Sequence, residues 1–130
     1  MTQQVSFGEV ERQDDVCILA ISGRLASGLN DIQLRQKAQE IKSLDCRKLV
    51  VDIRALDSVG SSGISFFAEL YTSVTKRPNG RFVLAGASER VREVLEMTRL
   101  TTILTLADDL DSALAYCAQT SASAKATSSR

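Results

Sequence analysis

The sequence predicts an α/β fold: a mixed, mainly parallel β-sheet of about four to five strands backed by about four helices. Three observations predict it. Short apolar runs rich in strand formers recur along the chain, helically spaced apolar residues fill the segments between them, and turn signals separate the two. A length of 130 residues suits one domain, assigned to 1–118, and leaves little room for a second.

Val5-Ser6-Phe7 reads as a first, weak strand feeding a hairpin across Gln13-Asp14-Asp15. Val16-Cys17-Ile18-Leu19-Ala20-Ile21 is an uninterrupted apolar run, as expected of an interior strand covered on both faces. From Asn30 to Leu44, Leu34, Ala38 and Ile41 repeat at helical spacing among Gln, Arg, Lys and Glu. Leu49-Val50-Val51-Asp52-Ile53 is the next interior strand, followed by a link over Arg54–Val59. Ile64, Phe67, Tyr71 and Val74 form a second helical stripe, stopped by Pro78-Asn79-Gly80. Phe82-Val83-Leu84-Ala85 is a strand. Ser88 can cap a helix whose inward residues are Val91, Val94 and Leu95. Ile103-Leu104-Thr105 reads as a short strand, and Asp108 or Asp109 can cap a last helix with Leu110, Ala113, Leu114 and Cys117 inward. Beyond Ala118 no large apolar residue remains to be buried, so 119–130 reads as a flexible Ser/Ala-rich tail.

Composition removes several function classes. Sixteen Lys plus Arg balance sixteen Asp plus Glu, which argues against bulk attraction to nucleic acid or an anionic membrane. The absence of His removes Ser-His-Asp and Cys-His catalysis and nearly all mixed Cys/His zinc sites. There is no Walker-type phosphate loop, no dinucleotide fingerprint and no nucleophile elbow with a base to serve it. No catalytic residue, metal or cofactor is therefore expected. An enzyme of some small α/β type would have to rest on carboxylates such as Asp52 and Asp57. Cys17, Cys46 and Cys117 are far apart with no Cys-x-x-Cys pair, so buried reduced thiols in a cytoplasmic protein are expected. The N-terminal residues carry no basic segment followed by an apolar core, and no apolar run approaches the ~20 residues of a membrane span.

Gly60-Ser61-Ser62-Gly63-Ile64 is the most informative stretch. It follows a strand and opens a helix, so two hydroxyls flanked by glycines sit at the positive end of a helix dipole. Ordinary capping uses one Ser; two, with Ser58 just upstream, exceed that need.

With these residues in view, the sequence resembles the STAS domain family, and within it the bacterial anti-sigma factor antagonists, from roughly Val5 to Ala118. Ile21-Ser22-Gly23-Arg24-Leu25 looks like the family's strand ending in Gly-Glu-Leu-Asp. Leu49-Val50-Val51-Asp52-Ile53 looks like its central strand, and Ser61-Ser62-Gly63-Ile64 like its Asp-Ser-Ser-Gly-Leu switch motif. The resemblance implies a STAS-type sheet and a regulatory protein that is not an enzyme. An anti-sigma factor that is also a serine kinase would bind the unphosphorylated form and phosphorylate Ser61, and a serine phosphatase would reset it. Partner contacts would come from Arg24, Ala26, Ser27, Ser58, Gly60, Ser62, Gly63 and Ile64, on a monomer or weak homodimer. Gly60 stands where the family carries an acidic residue, and Arg24 and Ala26 replace the Glu and Asp of the strand-end motif. A competing register lays Asp57-Ser58-Val59-Gly60 on the motif. An alternative reading keeps the fold and drops the phosphate, giving a scaffold or accessory subunit of a stress-signalling or transporter complex.

Overall fold

A computed structural model describes residues 6–8, 10–13, 16–25, 31–44, 46–77 and 80–117. In chain order the elements are β1 (Ser6–Phe7), β2 (Glu11–Gln13), β3 (Val16–Leu25), α1 (Asp31–Ser43), β4 (Lys48–Val59), α2 (Ser61–Thr75), β5 (Arg81–Ala85), α3 (Glu89–Met97), a 3₁₀ turn (Leu100–Thr102), β6 (Thr105–Ala107) and α4 (residues 110–117). The mixed sheet has the order β1-β3-β4-β5-β6, and β2 shares with β1 the outer edge of β3. It is thus five strands wide. β1 and β2 run antiparallel to β3, while β3 to β6 are mutually parallel, as strands joined by helical crossovers must be.

Alternation along the strands divides the core in two. Cys17, Leu19, Ile21, Leu49, Val51, Ile53, Phe82 and Leu84 face one way and pack with Leu34, Ala38 and Ile41 of α1, Phe66, Phe67, Leu70 and Val74 of α2, and Val91 and Leu95 of α3. Ile18, Val50, Val83 and Ala85 face the other way and meet Ala113 and Cys117 of α4. The uninterrupted apolar runs follow from this: strands covered on both faces have no side for a polar residue. Ser88 caps α3, its side chain accepting from Val91 N. Asp109 caps α4 by accepting from Ser112 N at 2.8 Å. That bond holds the Asp109 carboxyl below its ordinary value.

Several expectations need correction. The presumed link over 54–59 is strand: β4 continues to Val59, beyond an irregularity opposite Ala20–Ser22. The last strand lies two residues later than predicted. Arg99 takes a left-handed conformation and starts the 3₁₀ turn, which drops Leu104 into the core and leaves Ile103 half exposed. On α2 the buried face is wider than the predicted stripe. Phe66, Phe67, Leu70 and Val74 are buried, whereas Ile64 and Tyr71 are half-buried at its margins. The N-terminal arm is two short strands, not one, and residues 14–15 of its turn lie outside the described residues. So do Val5, Asn30, Pro78-Asn79 and the segment 119–130.

The largest correction concerns the cysteines. Cys17 on β3 and Cys46, just before β4, form a disulfide across a sequence separation of 29, with Cα atoms 6.0 Å apart. Cys117 lies outside the bond, buried in the cluster on the opposite face of the sheet.

Gly80, buried at the entrance to β5, has a specific steric reason. A Cβ there would overlap the carbonyl of Val74, the residue that ends the buried row of α2. Backbone cannot move aside as a side chain tip can. Gly80→Ala is therefore expected to lower stability by about 1–3 kcal/mol in urea unfolding. An unchanged midpoint would show that the turn after α2 accommodates a methyl group.

Candidate functional site

The site is built where β3 and β4 end together. In their parallel register Arg24 lies beside Ser58 and Leu25 beside Val59. Arg24 Nε donates to Ser58 Oγ at 3.4 Å, a long contact between a side chain on the exposed surface and one half-buried. Gly60 follows immediately as the N-cap of α2, extended at φ −100° and ψ −171°, and no side chain caps the helix. Ile64 N donates to Gly60 O at 3.1 Å, closing the first turn. Ser61 and Ser62 are thus the first two helical residues; neither is the cap expected from capping alone.

The first turn of a helix leaves its N–H groups without intrahelical acceptors and carries the positive end of the dipole. Here it contains no acidic residue. Arg24 adds a cation on the adjoining strand, and Asp57 is exposed one residue before Ser58. Gly63 is buried, and Ser62 and Ile64 are half-buried. Ile64 packs on the core cluster through part of its surface, so it supports the turn while presenting an apolar edge.

The fold therefore brings Arg24, Ser58, Gly60, Ser61, Ser62, Gly63 and Ile64 to one end of the sheet. Ala26 and Ser27 lie outside the described residues, as does the placement of the Ser61 side chain. The competing register fares differently: Asp57, Ser58 and Val59 are inside β4, with Val59 buried and paired to Leu25. Ser58 faces Arg24 from a strand and does not open a helix.

A second feature escaped sequence reasoning. Asp52, expected to end a strand, sits mid-strand and is buried. Its Oδ1 accepts from Arg54 N at 3.2 Å and from Arg54 Nε at 3.1 Å, and its Oδ2 from Arg54 Nη2 at 3.1 Å. The bond and charge of Asp52 raise the Arg54 guanidinium above its ordinary value. The Arg54 stem lies over Gly86, which has a φ of +79° and where a Cβ would collide with Arg54 Cγ. The signal was available: opposite charges two residues apart on one strand share a face. Around this pair, Gly8, Ala20, Ser22 and Ala55 floor an open depression of about 530 Å³. Asp52 and Asp57 are not assembled as an acid–base pair. Arg54 occupies both oxygens of the first, and the second is exposed about 16 Å further along the strand. No group of three or more potential metal ligands occurs among the described residues.

Comparison with known proteins agrees with this fold. An anti-sigma F factor antagonist from Paenibacillus polymyxa is 24% identical over 106 residues, covering 82% of this chain and 90% of that protein. The crystal structure of an anti-sigma factor antagonist from Mycobacterium paratuberculosis superposes with a TM-score of 0.78 at 23% identity, covering 88% of this chain and 94% of that one. The phosphorylated form of the Bacillus cell fate determinant SpoIIAA superposes with a TM-score of 0.58 at 17% identity, covering 78% and 90%. The structural likenesses show the fold. The STAS domain family model matches residues 8–113, most of the chain, and with the fold and strand-to-helix turn in place the protein belongs to the STAS domain family.

Proposed function

We propose that the protein is an anti-sigma factor antagonist: a regulatory binding domain that captures an anti-sigma factor and so frees a sigma factor. The observation that carries this reading is the turn Gly60-Ser61-Ser62-Gly63, which opens α2 directly from the central strand beside the end of β3. The antagonists it resembles in sequence and fold support it. Arg24, Ala26, Ser27, Ser58, Gly60, Ser62, Gly63 and Ile64 contact the partner in this reading. The anti-sigma factor is a serine kinase that phosphorylates Ser61, and a serine phosphatase restores the binding form. A phosphate at Ser61 would add ~1.5–2 negative charges at the positive end of α2, where the protein tolerates them and a docked partner does not.

The protein does no chemistry of its own in this reading and acts in the cytoplasm as a monomer or weak homodimer. Among the described residues no helix is long and apolar enough to cross a membrane. The reading is tested by adding the protein to a complex of the cognate sigma and anti-sigma factors. Stoichiometric release of sigma is expected; an undisturbed complex would overturn it.

A second reading is favoured by Gly60 and Ala26, which stand where the resembled family carries acidic residues. In it the domain binds constitutively, as a scaffold or accessory subunit. Affinity capture that returns structural or transporter subunits, with no anti-sigma factor, would support it.

A further inference from the structure

We propose that Cys17 and Cys46 are a reversible dithiol–disulfide couple whose closure braces α1 against the sheet. The bond joins β3 to the segment just before β4, and between them run the end of β3 with Arg24, residues 26–30 and all of α1. α1 is held by a narrow apolar row, Leu34, Ala38 and Ile41, one of which is an alanine. Lys37 Nζ lies over the Phe7 ring at 5.7 Å from its centroid, and Leu44, just past the helix, packs on the core cluster. Further ties at its C-terminal end are polar. Lys42 Nζ meets Glu69 Oε2 of α2 at 2.6 Å, and Arg12 Nη1 donates to the Leu44 carbonyl at 3.1 Å. Such surface contacts hold a helix weakly. A covalent link two residues beyond Leu44 therefore governs how firmly α1 stays in place.

The same placement makes the link reversible without loss of the fold. Both cysteines belong to the main core, where two reduced thiols remain small apolar groups. Cys46 lies between elements, so unfastening the last turn of α1 exposes it while the central strands stay paired. Cys117 is on the far side of the sheet, which leaves one intramolecular partner for each.

Closure proceeds by exchange with a low-molecular-weight disulfide such as oxidised glutathione. One cysteine thiolate attacks the small disulfide, forming a mixed disulfide and expelling one small thiolate. The second cysteine thiolate then attacks the protein sulfur and expels the other. The two protons released by the cysteines end on the two small thiols. The protein is oxidised by two electrons and the small disulfide is reduced by two. A thiol reductant reverses each step.

The test uses the whole chain, equilibrated with oxidised glutathione or with dithiothreitol, then freed of reagent. Thiols titrated in denaturant should number one and three, and peptide mapping should place the bond between Cys17 and Cys46. The closed form should melt roughly 10 °C higher, because the bond shortens the free chain of the unfolded state. Amide exchange in α1, where it proceeds by local opening, should be about tenfold slower in the closed form, while β4 and β5, which exchange through global unfolding, should slow in step with the rise in stability. Cys117→Ser should still close the bond, with thiol counts of zero and two, and keep the difference in α1 exchange between the two treatments, whereas Cys46→Ser should show α1 exchange like that of the reduced form under both treatments. If Cys46→Ser does not fold, the comparison of the two redox forms still decides. Three thiols after oxidised glutathione, a bond to Cys117, or identical α1 exchange in both forms would overturn the proposal.

Discussion

Ser61→Asp is expected to weaken binding of the anti-sigma factor roughly 10–100-fold, and Ser61→Ala to leave binding intact while removing its control. The reason is local. The turn holding Ser61 ends the central strand, carries no acidic residue of its own in the first helical turn, and adjoins Arg24 at the end of β3. A carboxylate there places a negative charge where the free protein has none, and a partner docked over the turn must bury or oppose it. Like charges brought together across an interface cost several kcal/mol, although Asp carries less charge than a phosphate. Within the domain the same charge meets the positive end of α2, so the melting temperature should be unchanged or slightly raised. Calorimetric titration of both variants checks the binding, and thermal unfolding checks the fold. Ser61→Asp that binds like the natural protein would favour the constitutive reading.

Phe67→Ala has the largest expected effect on stability, a loss of about 3–5 kcal/mol. Phe67 is fully buried on α2, its ring centroid 6.0 Å from that of Phe66, which in turn lies 6.0 Å from Phe7 of β1. Truncation leaves a cavity between α2 and the sheet, lined by strands that cannot close over it. Because α2 is the helix that presents Ser61, the domain should also lose its partner well below its new melting point. Urea unfolding measures the first effect and partner titration the second. A stability loss under 1 kcal/mol would mean that α2 is seated by something other than this aromatic face.

The parts of the fold legible in the sequence were those fixed by local pattern. The apolar runs at Val16–Ile21, Leu49–Ile53 and Phe82–Ala85 are strands with helices packed on both faces of the sheet, although Ala20 is left exposed in the open depression. Ser88 and Asp109 cap their helices because a short polar side chain before an apolar row has a free N–H to reach. What escaped depended on partners distant in the chain. Beyond Ile53 the continuous apolar run ends, and β4 loses β5 as a neighbour after Asp52; Arg54–Val59 stays extended through pairing with β3 and the burial of Leu56 and Val59. The contact of Arg24 with Ser58 and the bond of Cys17 with Cys46 both arise from the parallel register of β3 and β4, which no spacing within the sequence encodes. The candidate site was legible as a motif at Ser61-Ser62-Gly63-Ile64. Its cap was not, because an extended glycine and a serine can each precede a helix and neighbouring backbone decides between them.

As the proposed switch, Ser61 should carry the phosphate. The most direct measurement incubates the protein with the cognate anti-sigma kinase and ATP, then maps phosphate by peptide mass spectrometry. One phosphate on Ser61, with loss of anti-sigma binding in the modified fraction, is the predicted result. Phosphate absent, or carried by Ser58 or Ser62 with Ser61 unmodified, would contradict it.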